Sequence, residues 1–256
     1  MRIKTNINIF LIIAFTLLIS CAKTLVRGNF YTVTAQEKSD IVSSNAVLKA
    51  FFNGLPVLRC SANAIGRDKN TYLFITASHC VSTYDEATHK VTKLDFIYTL
   101  TLERTNGRSE SYVATVVSIG NPGTGYGYDL ALLQAEINEV IPVLEISDTD
   151  PELGDDVYIA HTPMSQFGVL LIRGYVSRYS INEVVVEGIS WENDSVMQFQ
   201  GLGFAQGASG SIVYGCHQKK VVAVLVGSGM NGQGHISVIV IPASRVNHFV
   251  ELYKNR

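Results

Sequence analysis

Three short segments carry residues that could catalyse acyl transfer, and they follow one another in the order His, Asp, Ser. His79 lies in Thr76–Cys80 (TASHC), Asp129 precedes an apolar run, and Ser209 lies in Gly207–Ser211 (GASGS). A serine hydroxyl is a weak nucleophile unless an imidazole accepts its proton, and that imidazole needs a carboxylate on its other nitrogen. The three residue types therefore predict a nucleophile, a base and an orienting acid.

The sequence around the base and the acid places both at the ends of strands. His79 follows the apolar run 72–75, and Asp129 stands directly before the run 130–133. An aspartate at a buried strand entry needs a partner, because an unpaired buried charge is very costly. The alternatives are a structural histidine beside a disulfide and a turn aspartate after the Gly/Tyr segment 125–128.

The glycines around the candidate nucleophile predict a tight turn. Gly207 and Gly210 flank Ser209 and permit unusual backbone dihedrals. Such a turn can direct the N–H groups of Gly207 and Ser209 at one point, which predicts an oxyanion hole. Ser211 is the rival nucleophile, but it begins the strand-like run 212–213 and lacks the flanking pair of glycines.

Composition limits the classes of function. The 256 residues include 47% apolar and 16% charged residues, with a net charge of −2, which is typical of a globular protein with a large core. Clustered Lys and Arg are missing, so no nucleic-acid partner is predicted. The histidines stand in no metal-binding spacing, so neither a metal nor another cofactor is expected.

The N-terminus has the pattern of an export signal. Arg2 and Lys4 precede an apolar stretch over 9–19 that is short for a membrane span, so residues 1–20 are predicted to be a signal peptide. The stretch ends before Cys21 in a pattern that resembles a bacterial lipobox. This predicts lipidation of Cys21 and anchoring of a periplasmic or cell-surface protein to the outer membrane, with ordinary signal cleavage as the alternative.

Export implies an oxidising compartment for the remaining cysteines. Cys60 and Cys80 lie 20 positions apart, and a disulfide between them would hold the His79 segment against a neighbouring strand. Cys216 has no partner left if Cys21 is lipidated, and a free cysteine is expected there.

Short β-branched and apolar runs recur from about residue 46, with turn residues between them, which predicts an all-β fold. Residues 21–45 show no clear period and are interpreted as a tether or N-terminal arm. The segment 142–153 interrupts the strands and divides two halves, about 46–145 and 146–242. Residues 243–254 have the apolar spacing of a short C-terminal helix.

These residues together resemble the chymotrypsin-like (trypsin-like) serine proteases over roughly residues 46–254. The string TASHC is similar to that family's TAAHC, with Ser78 in place of Ala. Asp129 stands in an Asp-x-Ala-Leu string, and GASGS is similar to Gly-x-Ser-Gly-Gly with Ser211 in place of the last Gly. Segments 154–158 and 174–177 also resemble the bacterial HtrA-like branch, whose PDZ domain has no counterpart before residue 256.

The resemblance implies a protease domain over 46–256 made of two packed six-stranded antiparallel β-barrels with the site between them. It implies that the first barrel supplies His79 and Asp129, that the second supplies Ser209 and the oxyanion hole, and that Cys60 and Cys80 form the family's disulfide. It also implies a substrate pocket lined by five residues, namely Gly203, Gln206, Val226, Gly227 and Ser228.

Two departures from the family pattern bear on activation and specificity. Members activated by cleavage have Asp immediately before the nucleophile, where this chain has Ala208. Members that prefer Lys or Arg have Asp at the position of Gly203. We therefore expect no activation step of that type and no preference for basic residues at the cleavage site, and instead a medium-sized apolar or polar residue.

The sequence thus predicts a secreted serine endopeptidase that acts on proteins or peptides through His79, Asp129 and Ser209. A catalytically inactive protease fold that serves as a surface binding or adhesion module is the alternative. An esterase with the same three residues is the third possibility. Retention of all three residues with both glycines favours catalysis.

Overall fold

The structure is a computed structural model. It describes residues 31–256 with the exception of 86, 89, 104–107, 122–128, 163–167, 179–182, 187–188, 193–196, 201–205 and 231–235. The predicted signal peptide and Cys21 precede the described residues, and Gly203 falls in one of the exceptions. Residues 33–256 form one compact unit. No helix within the described ranges has the length and apolar character needed to cross a membrane.

The first half of the unit is a closed antiparallel barrel of six strands. Its strands are β1 (Asn45–Phe52), β2 (Leu55–Asp68), β3 (Thr71–Thr76), β6 (Ile97–Glu103), β7 (Ser109–Ile119) and β8 (Ala131–Glu136). Neighbouring strands pair in the order β1-β2-β3-β8-β7-β6, and pairing of β6 with β1, for example Leu100 with Leu48, closes the ring. Leu48, Phe74 and Leu132 are fully buried in its core.

The second half is also a closed antiparallel barrel. Its strands are β9 (Asp156–His161), β10 (Leu170–Arg178), β13 (Met197–Gln200), β14 (Ile212–Gly215), β15 (Val221–Met230) and β16 (Ile236–Pro242). Neighbouring strands pair in the order β10-β13-β16-β15-β14-β9. Its core contains Val157, Val213 and Val240, each without solvent exposure. β-Branched residues of this kind fit the half-buried surface of a strand.

Four further strands form two separate two-stranded antiparallel sheets. They are formed by β4 (Ser82–Asp85) with β5 (Lys90–Lys93) and by β11 (Glu183–Val186) with β12 (Ile189–Glu192). The predicted all-β fold of two six-stranded barrels is confirmed. The predicted C-terminal helix is confirmed as well: α2 spans Ala243–Lys254 and buries Val246, Phe249 and Val250.

An additional helix, α1 (Ala35–Ser44), lies within the segment interpreted from sequence as a tether. A capping box begins it: the Glu37 N–H donates to Thr34 Oγ1 at 3.1 Å, and the Thr34 N–H donates to Glu37 Oε2 at 2.6 Å. Ile41 is fully buried, and Lys219 Nζ lies 3.0 Å from Glu37 Oε1. Tertiary contacts stabilise a helix that has only a weak apolar period of its own.

The pairing of β3 with β8 determines where the candidate base and acid lie. Thr76, the last residue of β3, pairs with Ala131, the first residue of β8. Because the strands are antiparallel, the residues that follow β3 and those that precede β8 emerge at the same edge of the barrel. His79 and Asp129 are therefore brought to one place.

The predicted disulfide between Cys60 and Cys80 is confirmed. It joins β2 to a short 3₁₀ helix, Ser78–Cys80, with an S–S distance of 2.04 Å. Both cysteines are buried, as is Cys216, which carries a free thiol. The bond closes a 20-residue loop that contains β3 and the segment of His79.

Replacement of both Cys60 and Cys80 by Ala should lower the free energy of unfolding by about 3 kcal/mol, because the unfolded chain regains the entropy of the open loop. Urea unfolding of the oxidised wild type and the double variant measures the difference. Cys216→Ala is the control, since it removes a buried sulfur but no crosslink, and it should cost about 1 kcal/mol. Equal losses in the two variants would contradict the crosslinking role.

Candidate active site

The His79 side chain lies against the Asp129 carboxylate at the edge of the first barrel. His79 occupies the 3₁₀ helix that follows β3, and its ring Nδ1 lies 2.6 Å from Asp129 Oδ2. The histidine side chain is 20% exposed and that of the aspartate 4%. The base is thus accessible from solvent while the acid is enclosed.

Asp129 is held by two further hydrogen bonds. The backbone N–H of His79 donates to Oδ1 at 2.9 Å, and the Ser78 hydroxyl donates to the same oxygen at 2.6 Å. Together with the ring nitrogen, three donors surround a carboxylate that water hardly reaches. This satisfies the requirement that a buried charge be paired and hydrogen-bonded.

These contacts decide the charge of Asp129. Burial on its own would raise the pKa of the carboxyl group, but the charge of His79 and the hydrogen bonds from His79 and Ser78 outweigh burial and lower the pKa from its ordinary value of 3.8. The carboxylate is therefore ionised at neutral pH. An ionised partner holds the proton of a neutral imidazole on Nδ1, which makes Nε2 the proton acceptor.

Ser78 is 2% exposed, and its contact with Asp129 was not predicted from the sequence. In the sequence, the residue is distinctive only as a departure from the string TAAHC. The contact with Asp129 depends on the register of β3 against β8 and on the turn of the 3₁₀ helix. The only sequence signal was a hydroxyl residue directly before the candidate histidine.

Ser209 lies in the turn between the second barrel's strands β13 and β14, and we call residues 206–211 the nucleophile loop. Gly207 and Gly210 both have positive φ, +96° and +85°. At Gly210 a Cβ atom would lie 2.2 Å from both Ser61 O and Thr76 Oγ1, so only glycine fits there. The loop therefore packs directly on β2 and β3 of the first barrel.

The two candidate nucleophiles differ in accessibility. Ser209 is partly exposed, whereas Ser211 has no solvent exposure.

The backbone carbonyl of Ser209 accepts a hydrogen bond of 2.8 Å from the Ser61 N–H. Because Ser61 follows Cys60 and His79 precedes Cys80, one disulfide connects the segments that hold Ser209 and His79.

The predicted substrate pocket is described in part. Gln206 and Ser228 are exposed, and Gly227 is buried within β15. Val226 is fully buried in the hydrophobic core, so its side chain does not face solvent. The pairing of β15 with β16 is irregular between Leu225 and Gly227, at the position of Val226.

Among the described residues, Cys60, His79 and Cys80 are grouped closely enough to suggest a metal site, with ligand atoms within 4.8 Å of one another. The two sulfurs are bonded to each other, and a metal requires free thiolates. This cluster therefore belongs to the disulfide and the candidate base.

Ser78→Ala should lower the free energy of unfolding by about 2 kcal/mol at neutral pH, because it removes a hydrogen bond to a buried carboxylate. The lowered pKa of Asp129 means that the ionised group stabilises the fold above the ordinary value of 3.8. This stabilisation is lost as the pH falls through the folded-state pKa. The difference between wild type and variant should therefore shrink on acidification, as measured by urea unfolding across the acid range.

Ser82→Ala is the matched control. Its buried hydroxyl donates to the backbone carbonyl of Ser78 at 2.8 Å, and within the described ranges it has no hydrogen bond to a carboxylate. The loss of free energy of unfolding caused by Ser82→Ala should be the same at acidic and at neutral pH. A Ser78→Ala effect that is equally constant would show that the hydroxyl does not interact with an ionised group.

Comparisons with known proteins identify the family and the fold. A family model described as a trypsin-like peptidase domain matches residues 60–224, while no curated protein matches the chain. The fold is similar to that of a serine endoprotease from Yersinia pestis, with 17% identity, a TM-score of 0.59, and coverage of 87% of this chain and 68% of that one.

Two further solved structures have the same fold. Rv3671c of M. tuberculosis H37Rv, in an inactive mutant form, is 16% identical, with a TM-score of 0.58 and coverage of 87% of this chain and 94% of that one. The MamO protease domain of Magnetospirillum magneticum is 18% identical, with a TM-score of 0.58 and coverage of 82% and 97%. With two closed barrels and a family match over more than half its length, the chain belongs to the trypsin-like peptidase domain family and is a serine protease.

Proposed function

We propose that this protein is an exported serine endopeptidase in which His79, Asp129 and Ser209 act as a catalytic triad. The observation that carries the proposal is the 2.6 Å contact between His79 Nδ1 and a buried, ionised Asp129. The partial exposure of Ser209, beside a fully buried Ser211, supports Ser209 as the nucleophile.

In the first half of the reaction, Ser209 Oγ attacks the carbonyl carbon of the peptide bond while His79 Nε2 accepts the hydroxyl proton. Asp129 stabilises the imidazolium that forms. The N–H groups of Gly207 and Ser209 donate to the oxyanion. The C–N bond then breaks, His79 protonates the leaving amine, and the acyl group remains on Ser209.

In the second half, water attacks the ester of the acyl-enzyme. His79 accepts a proton from this water and returns it to Ser209 Oγ as the C–O bond breaks, which releases the acid and restores the enzyme. In both halves of the reaction, the His79 ring must be reached by water and substrate. Its 20% exposure is consistent with this requirement.

The substrates of a protease are proteins or peptides, and the residues near Ser209 suggest which side chain is bound before the cleaved bond. Gly203, Gln206, Gly227 and Ser228 would line the pocket and carry no charge. An uncharged pocket offers no ion pair to Lys or Arg. We propose a medium-sized apolar or polar residue at this position.

The proposal also includes the cellular location. The disulfide between Cys60 and Cys80 is of a kind that persists in oxidising compartments, which supports export by the signal peptide 1–20. Lipidation of Cys21 would attach the domain to the outer membrane through the following segment. The net charge of −2 favours protein substrates over nucleic acid.

A fluorophosphonate probe should label the purified wild type and Ser211→Ala, and it should fail to label Ser209→Ala, because only an activated serine attacks phosphorus rapidly. Gel fluorescence after a timed reaction measures the label, and circular dichroism shows that each variant is folded. Labelling of Ser209→Ala would overturn the assignment of the nucleophile. A folded, oxidised wild type without label would favour the inactive binding or adhesion module.

A further inference from the structure

The nucleophile loop needs groups that hold its shape, and the residue before the nucleophile cannot supply a charge. Ala208 is 4% exposed and packs with the core of the second barrel. An ion pair to this position is therefore excluded, so the atoms that hold the loop must lie elsewhere. The described contacts of the loop lead to strand β2 of the first barrel.

Ser61 on β2 makes two hydrogen bonds to the loop. Its backbone N–H donates to the carbonyl of Ser209 at 2.8 Å, and its hydroxyl donates to the carbonyl of Gly207 at 2.9 Å. The same hydroxyl accepts a bond of 3.2 Å from the Thr162 N–H and lies 3.1 Å from Thr162 Oγ1. Ser61 has no solvent exposure, so water cannot replace these contacts.

Asn63, two residues further along β2, contacts the next carbonyl of the loop. Its Nδ2 donates to the carbonyl of Gly210 at 3.2 Å. Its Oδ1 accepts a bond of 3.1 Å from Asn45 Nδ2, which also lies 3.2 Å from the carbonyl of Ala160. Asn45 and Asn63 are both buried, and Asn45 is the C-terminal cap of α1.

We propose that Ser61 and Asn63 are positioning residues that hold the nucleophile loop in its catalytic shape; the inference rests on the proposed role of Ser209. The N–H of Ser209 belongs to the peptide between Ala208 and Ser209. Ser61 binds the carbonyls of the peptides on both sides of it. With both neighbouring peptides fixed, the rotation of this N–H is restricted, and a preorganised donor is what an oxyanion hole requires.

The same contacts explain how the loop can hold this shape without activation by cleavage of the protein's own chain. The donors belong to strand β2 of the first barrel. Ser61 binds the carbonyls of Gly207 and Ser209, and Asn63 binds the carbonyl of Gly210. The Gly210 N–H donates in turn to the carbonyl of Leu225 at 2.8 Å, which ties the loop to its own barrel. The loop is therefore bound on both sides by groups already present in the chain.

Ser61→Ala tests the inference because it removes the hydroxyl and leaves the backbone N–H in place. Hydrolysis of p-nitrophenyl acetate, an ester that makes few demands on the substrate pocket, should show kcat about tenfold lower with KM nearly unchanged, as expected for a weakened transition-state interaction. Exchange of backbone amides with deuterium should become faster in the peptide spanning 206–212. Asn63→Ala should change both quantities in the same direction.

Ser147→Ala is the matched control. Its buried hydroxyl also donates to a backbone carbonyl, that of Thr149, at 2.7 Å, in the segment between the barrels. Ser147→Ala should lose about as much free energy of unfolding as Ser61→Ala, but kcat and the amide exchange of residues 206–212 should remain unchanged. A kcat that falls equally in Ser61→Ala and Ser147→Ala would reduce Ser61 to a purely structural residue and overturn the inference.

Other outcomes separate the inference from the proposed function. A wild type that hydrolyses the ester, with Ser61→Ala and Asn63→Ala matching it in kcat, would overturn the inference and leave the proposed function intact. A folded wild type without activity would overturn the proposed function and, with it, a catalytic role for Ser61. In that case faster amide exchange in Ser61→Ala would still support a role in shaping the loop, and unchanged exchange would overturn that as well.

Discussion

The hydrogen bond between His79 and the buried carboxylate of Asp129 is the interaction on which the rest of the site depends. A carboxylate on a side chain with 4% exposure is tolerated only if donors surround it, and here they come from one short 3₁₀ helix. The contact therefore requires that β3 end where β8 begins, which the pairing of Thr76 with Ala131 satisfies. The closed first barrel serves as the rigid support for this register.

The second constraint is the contact between the two barrels. The nucleophile loop belongs to the second barrel by sequence, yet its carbonyls are bound by β2 of the first. Gly210 permits the loop to approach β2 and β3 closely, because any side chain there would collide with Ser61 and Thr76. The disulfide at Cys60 ties the same strand to the helix of His79, so β2 is connected to both halves of the proposed triad.

Sequence reasoning was effective where a local string carries the signal. The strings around His79, Asp129 and Ser209, the pairing of Cys60 with Cys80, and the helix over 243–254 could all be predicted in this way. The structure confirms the fold, the disulfide and the helix, which begins directly after Pro242. Residues whose contacts depend on long-range register could not. Ser78, Ser61 and Asn63 are ordinary polar residues in sequence, and only the closure of the barrels brings them to their partners. Helix α1 was missed because tertiary contacts stabilise it more than its own period does.

The most direct test of the account is the location of the covalent intermediate. The reaction of the purified protein with p-nitrophenyl acetate would be stopped with acid within the first turnover, and peptide mass spectrometry would locate the acetyl group. If Ser209 is the nucleophile, one acetyl group is expected on its hydroxyl, and it should be lost when the reaction continues in water. An acetyl group on another residue, or hydrolysis of the ester without any acylated protein, would contradict this role of Ser209.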